Sequence, residues 1–268
     1  YDVLSNFKDA QKRSALHFAC QSQSDTTIVR DILNWVSDDA DKLIVQKDKE
    51  GLTPLMLAAQ HDNRIMAQQR VLYIVAEKPT SHKIGLMRSK AGATALHYAA
   101  SKGATPTTLE AIYETGKVAL NTFSLSGGTP LHWACAVSSN FDYSETIQAL
   151  IELGANVNAT TERIPPPLFM AVAAGHDVHA KQLLQYDDKI TESLHHVLVP
   201  GGVTIFHMVA DLNLPGVLAE LINKIDDTEW IDRANENGER PLDLAAREGH
   251  TGCVMLLLAA TNQDHTEQ

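Results

Sequence analysis

The side chains in this sequence best suited to chemistry are twelve histidines and three cysteines. Imidazoles and thiolates ligate transition metals, and both serve acid–base or nucleophilic catalysis. Their spacing argues against either use. His195 and His196 are adjacent, and adjacent side chains diverge by about 100° on a helix or point to opposite faces of a strand. No Cys or His spacing resembles a zinc site. No nucleophile elbow, phosphate-binding loop or dinucleotide fingerprint is present, and the pairs Gly127-Gly128 and Gly201-Gly202 read as turns. No catalytic, cofactor-binding or metal-binding residue is therefore expected. Cys20, Cys135 and Cys253 read as small buried apolar residues of a reducing compartment.

Four of the histidines belong to a recurring string. It reads Ser14-Ala15-Leu16-His17-Phe18-Ala19, Thr53-Pro54-Leu55-Met56-Leu57-Ala58, Thr94-Ala95-Leu96-His97-Tyr98-Ala99 and Thr129-Pro130-Leu131-His132-Trp133-Ala134. It returns in looser form from Pro166, from Thr204 (with His207) and from Arg240. Successive copies start 39, 41, 35, 37, 38 and 36 residues apart. Thr or Ser suits a helix N-cap, where its hydroxyl accepts from an orphan N–H. Pro fits the first helical position, where no N–H is needed. The Leu points inward, and paired small residues such as Ala58-Ala59 and Ala99-Ala100 allow close helix stacking.

A second apolar pattern follows each string at i, i+3, i+4, one face of an α-helix. Its seven triads are Val29/Ile32/Leu33, Val71/Ile74/Val75, Leu109/Ile112/Tyr113, Ile147/Leu150/Ile151, Ala180/Leu183/Leu184, Leu218/Leu221/Ile222 and Val254/Leu257/Leu258. Turns such as Asp48-Lys49-Glu50-Gly51 and Asn235-Glu236-Asn237-Gly238 precede the next string. The longest connection, from Gln185 to Val203, contains Glu192 to Leu198, a candidate for one more turn of helix or a short strand.

This T-P-L-H-x-A string, followed by a second helix, resembles the ankyrin repeat, whose unit is about 33 residues. The resemblance implies an all-α ankyrin-repeat solenoid of about seven helix-turn-helix units with β-hairpin-like fingers. It implies one array over residues 1–268, curved and elongated, with 261–268 as a polar tail or linker. In the family the string histidine hydrogen-bonds the adjacent hairpin, which gives His17, His97, His132 and His207 a structural role. Ankyrin arrays are substrates of asparaginyl hydroxylation, but around Asn158 the preferred acid is replaced by Asn156, so a buried asparagine that caps its own turn is the expected reading. The order Ser124 to Leu131, Asn156 to Ala159, Gly201 to Thr204 and Glu236 to Pro241 resembles eukaryotic proteins in which tetratricopeptide repeats follow the ankyrin array.

Composition narrows the partners. Basic residues number 22 against 33 acidic ones, a net charge of −11. Sequence-independent nucleic-acid binding needs surplus cations to displace counterions, so it is not expected. No apolar run reaches the roughly 20 residues that span a bilayer. The chain begins at Tyr1 and is expected to be an excised, cytoplasmic and monomeric domain.

The resemblance implies a protein–protein interaction scaffold rather than an enzyme, with no cofactor. Its partner would be a protein or extended peptide on the concave face. The alternative is a targeting or regulatory module of a larger ligase, acyltransferase or chaperone-linked protein. Mapped onto this sequence, the contact positions are Lys49, Glu50, Leu52, Gln60, His61, Lys90, Ala93, Ser101, Lys102, Leu125, Ser126, Ala136, Val137, Glu162 and Arg163. The lysines favour acidic partner residues beside an apolar anchor. One expectation is testable without a partner. Leu131 belongs to the core, so Leu131→Ala should lower stability by about 2–5 kcal/mol in urea unfolding. A shift below about 0.5 kcal/mol, the size of a surface substitution, would show the string to be misplaced.

Overall fold

The computed structural model describes residues 7–22, 25–36, 40–61, 64–76, 84–137, 142–186, 200–225 and 228–262. The candidate segment 192–198 and most of the polar tail lie outside them. Among the described residues the chain is all helical, without a strand. It divides into two compact units, residues 1–156 and 157–268.

Each string opens a helix in the first unit: α1 (Ala15–Gln21), α4 (Pro54–Ala59), α6 (Ala95–Ser101) and α8 (Pro130–Cys135). Each is followed by an antiphase partner: α2 (Thr27–Val36), α5 (Arg64–Ala76), α7 (Pro106–Glu114) and α9 (Ser144–Glu152). The first helices stack in the order α1, α4, α6, α8, and the second helices in the order α2, α5, α7, α9. The second unit repeats the scheme with α10 (Pro167–Ala173), α12 (Ile205–Asp211) and α15 (Pro241–Arg247), paired with α11 (Asp177–Tyr186), α13 (Pro215–Lys224) and α16 (Thr251–Asn262).

The core lies between the two helix layers. Leu16, Leu55, Leu96, Leu131, Leu168 and Phe206 are fully buried. So are both members of each string's small pair in α4, α6 and α8, Cys135 included. The last string departs from this: Leu242 is only half-buried and Ala246 is exposed. Leu258, expected in the core, is 38% exposed because none of the described residues packs on that side of α16.

Among the described residues the connections hold two short α-helices, besides 3-10 turns at Ile84–Leu86 and Lys117–Asn121, that the repeat pattern does not show. α3 (Ala40–Ile44) buries Ala40, Leu43 and Ile44, and α14 (Thr228–Ile231) buries Trp230 and Ile231. The signal was present as short apolar clusters, but each is too brief for a 3.6-residue period to emerge.

The string histidine is the hinge of local and non-local structure. The Nδ1 atoms of His17, His97, His132 and His207 lie 3.0–3.1 Å from the backbone nitrogens of Ser14, Thr94, Thr129 and Thr204. A backbone N–H can only donate, so Nδ1 is the bare acceptor and Nε2 carries the proton. That Nε2–H donates to the carbonyl that closes the next turn: Leu52 from His17, Gly128 from His97 and Glu239 from His207. One ring thus caps its own helix and ties it to the next turn.

The turns themselves stack. Asp48, Ser89 and Ser124 each begin a tight turn, closed by bonds from Gly51 N to Asp48 O, Gly92 N to Ser89 O and Gly127 N to Ser124 O. The second residue of each turn donates its N–H to the preceding turn: Lys49 to Gln11 O, Lys90 to Glu50 O and Leu125 to Ala91 O. The fourth position takes positive φ, at Gly51 +75°, Gly92 +70° and Gly127 +93°; Lys12 adopts +62° in the first turn. Stacking adds a second demand for glycine. A Cβ on Gly92 would come within 2.8 Å of Leu125 Cγ and 2.9 Å of its nitrogen.

Gly92→Ala should therefore cost more than the about 1–2 kcal/mol of a left-handed alanine. Gly175, at φ +75° with nothing within 4 Å of where a Cβ would stand, is the reference. Equal urea midpoint losses for Gly92→Ala and Gly175→Ala would mean that turn stacking contributes nothing.

Burial pulls the His97 pKa from 6.5 down to about 4, against the raising effect of its bond to Gly128 O. Its folded value is depressed, so the unfolded chain takes up the proton first as pH falls. The stability is complete above the unfolded value of 6.5 and drains away toward the folded value of about 4. The loss at pH 5 should be about 2 kcal/mol from this residue. The urea midpoint should fall between pH 7 and pH 5 and do so less in His97→Asn; a flat wild-type profile refutes the neutral-imidazole assignment.

Candidate interaction surface

The stacked turns place chemically equivalent side chains in a row. Ala10, Lys49, Lys90 and Leu125 occupy the second turn position in the first unit, in that order. Lys49, Lys90 and Leu125 are exposed, Leu125 at 79%. Glu50 and Ser126 follow them at the third position, also exposed. Glu50 reaches Lys90 at 3.8 Å, but both are about two-thirds or more in solvent, at 72% and 66%. Such an exposed pair contributes little, about 0–1 kcal/mol, so it leaves both charges available to a partner.

Behind the row, two cations not foreseen as part of this surface bind the turns together. Lys47 donates from Nζ to Arg88 O at 2.7 Å. Arg88 donates from Nε to Gly92 O and from Nη2 to Phe123 O. Both precede their turn by one residue, and that shared position is the signal that could have found them.

The first helices supply a second strip. Tyr98 and Trp133, each the residue after a string histidine, meet edge-to-face with centroids 5.7 Å apart, and His97 meets Trp133 at 5.2 Å. The Trp133 indole N–H donates to Gly127 O and the Tyr98 hydroxyl to Ser89 Oγ. Their polar ends are engaged at the turn bases, and their rings remain half-exposed beside the row.

The other expected contact positions divide. Lys102 and Ala136 are exposed, and Leu52, Gln60, Ser101 and Val137 are half-buried. His61 and Ala93 are corrections. Ala93 is fully buried because it closes a turn through its bond to Ser89 N. His61 is also buried and donates from Nε2 to Ser22 O at 3.1 Å. The same carbonyl receives Arg70 Nη2 at 2.6 Å, while Arg70 Nη1 reaches Cys20 O at 3.1 Å. Arg70 is a fully buried guanidinium that satisfies the negative C-terminal end of α1. Glu162 and Arg163 are exposed, but they stand in the second unit and are not brought together here with the row.

Charge is unevenly spread. Residues 1–156 hold 15 basic and 16 acidic side chains, whereas residues 157–268 hold 7 and 17. In the second unit Arg247 gathers Glu239, Glu248 and Asp211 at 2.5, 3.1 and 4.0 Å. The thiols are inert by environment: burial raises Cys20 to about 12 and pushes Cys135 and Cys253 up as well. Among the described residues no three His, Cys, Asp or Glu side chains gather as a metal site, and no helix is long and apolar enough to cross a membrane.

Comparisons with known proteins agree with this geometry. The family model "Ankyrin repeats (3 copies)" matches residues 67–161, and "Ankyrin repeat" matches 237–266. No curated protein matches the chain in sequence. Two similar solved structures are the ankyrin repeat domain of Bcl-3, described as a unique member of the IkappaB protein family, and the human ASB11 ankyrin repeat domain. The first is 22% identical and the second 19%, each with a TM-score of 0.65, covering 92% of this chain and 98% of theirs. With the string, the helix pairs and the histidine bonds in place, the chain carries ankyrin repeats and folds as an ankyrin-repeat solenoid.

Proposed function

We propose that this chain acts by binding rather than by catalysis, and that residues 1–156 hold an extended protein segment bearing acidic side chains beside an apolar anchor. Ankyrin-repeat architecture supports a protein-interaction module in general. The observation that carries the finer reading is the row Lys49, Lys90 and Leu125, exposed at equivalent positions of stacked turns. A row fixed by backbone bonds loses little conformational entropy when a partner lies along it. The half-exposed Tyr98–Trp133 pair, bonded to Ser89 and Gly127 of the two turns, offers a flat apolar seat of the kind that dominates binding energy. The lysines orient an acidic segment and discriminate against basic ones. Lys102, Ser126 and Ala136 are exposed as well.

The test uses two fluorescein-labelled extended peptides, each with one central Leu, flanked by Glu in one and by Lys in the other. The Glu peptide should bind more tightly. Lys90→Glu alone should weaken it by about 0.2–1 kcal/mol, as for a rim charge. Leu125→Asp should weaken it by at least about 2 kcal/mol, as for a central anchor. Circular dichroism should be unchanged in both variants, since both side chains stand in solvent. Equal binding of the two peptides, or undiminished binding to Leu125→Asp, would remove this surface from consideration.

A further inference from the structure

Lys12 holds a backbone conformation that its residue type disfavours. Among the described residues only Lys12 and Asn213 combine a Cβ with positive φ, at +62° and +53°. Asparagine enters that region readily, because its short polar side chain bonds locally; lysine has no such compensation. Strain of this kind persists where the surroundings over-determine it, and it gathers at ligand-holding sites.

The surroundings here fix the turn on both sides of Lys12. Lys12 N donates to Asp9 O at 2.9 Å and closes the first turn. Asp9 Oδ1 accepts the N–H groups of Gln11 and Arg13, each at 2.8 Å, and Arg13 bridges Asp9 Oδ2 at 2.8 Å. Asp48 accepts from Glu50 N and Leu52 N in the same way, at 2.9 and 2.8 Å. The two turns are one motif, yet the fourth residue is glycine in the second and lysine in the first.

Those bonds explain how the turn tolerates a lysine, not why it has one. Glycine would meet the same conformational demand without strain, as Gly51 does. What lysine adds is a charge. Along the row of turns Lys49 and Lys90 stand at the second position, where the first turn has Ala10. Lys12 restores a cation to that turn from the fourth position. It is exposed, and among the described residues it stands in no ion pair. Its chain neighbour Gln11 accepts the Lys49 N–H at 2.8 Å, so the backbone sets Lys12 beside the Lys49 turn. The acid of its own turn, Asp9, is committed to Arg13 and to the turn itself. We propose that Lys12 is a specificity-determining residue of this surface, holding an acidic side chain of the partner segment at the first turn. This inference rests on the reading of the row as the seat of an extended acidic segment, and it carries that segment three turns beyond Leu125. Packed helices stand about 8–10 Å apart and an extended chain advances about 3.3 Å per residue, so about seven to nine residues of the segment lie between the two turns.

The probes are two fluorescein-labelled peptides, each with one central Leu. Alternating Glu and Ser extend for about three residues on either side in the short peptide and about ten in the long one, enough to reach the first turn. Lys12→Gly should raise the urea midpoint, because the strain it relieves exceeds the extra freedom that glycine gives the unfolded chain. The same variant should weaken the long peptide about two- to fivefold, as for a rim charge, and leave the short one unchanged. Lys12→Arg, which keeps the charge, should bind the long peptide as wild type does. The loss in Lys12→Gly should vanish at about 1 M salt, where charges are screened within about 3 Å. A variant that is more stable and binds more weakly is the signature of strain retained for a partner. The proposal falls if Lys12→Gly binds the long peptide as wild type does, since the lysine is then only a tolerated turn residue. It falls if the short peptide is weakened equally, since the substitution then acts through the fold, or if the midpoint does not rise. Wild-type binding of both peptides separates these failures, which remove Lys12 alone, from failure of the row itself; if wild type binds neither peptide, both readings fall.

Discussion

A backbone N–H donating to an imidazole Nδ1 is the interaction on which the rest of this structure depends. At His17, His97 and His207 it forces the proton onto Nε2 and aims that proton at the carbonyl closing the next turn. Because the acceptor is more than thirty residues away, a local cap becomes a bond between successive helix pairs. The ring must be neutral to play both roles, and burial keeps it so. Turn stacking then follows from the fixed position of each turn base. At Gly51 and Gly92 the stacking adds to the demand for glycine, because the next turn rests where a Cβ would be.

Three strings depart from this rule, with Met56, Phe169 and Asp243 in place of the histidine, and two of them keep a bond of their own. Met56 replaces the histidine of the second string, yet Thr53 Oγ1 still accepts the Met56 N–H at 3.3 Å. The backbone bond between successive turns is kept there as at the other turns, and Lys47 adds a further link by reaching Arg88 O. Asp243 replaces the histidine of the last string and accepts the Arg240 N–H at 2.9 Å. A carboxylate accepts but does not donate, so the outward half of the relay is absent at that string. Arg240 instead bridges Asp243 and Asp232, and Arg247 bridges Glu239.

Two exposed surfaces, one in each unit, differ in physical kind. The row of turns in residues 1–156 is polar, mixed in charge and fixed by backbone bonds, and it suits an extended segment read one turn at a time. The stripe of α16 that the described residues leave exposed, at Met255, Leu258 and Ala259, is apolar and narrow. The near-balance of charge in one unit and the large acidic excess in the other separate the two by electrostatics as well as by shape. An ion pair such as Lys90–Glu50 on the first surface decides orientation more than strength, since both groups keep their water.

The sequence by itself determined the helix pairs, their caps and most of the core, because those features repeat and each repeat restates the same local physics. Thr94 before Leu96 and His97, or Gly92 before Thr94, is legible wherever it recurs. It also placed Lys49, Lys90 and Leu125 on exposed turns, since turn chemistry is local. Tertiary structure alone decided which of the other contact positions reach solvent. His61 and Ala93 stand at positions equivalent to surface ones, yet the first is drawn to a carbonyl at the end of α1 and the second closes a turn. It alone showed Arg70 buried at the end of α1, where a charged residue in a helix would be read as solvated. Leu258 reads as core because its triad matches the others, and it is exposed because burial depends on a neighbour. A helix's own sequence states which face is apolar; only the packed structure states whether anything lies against it.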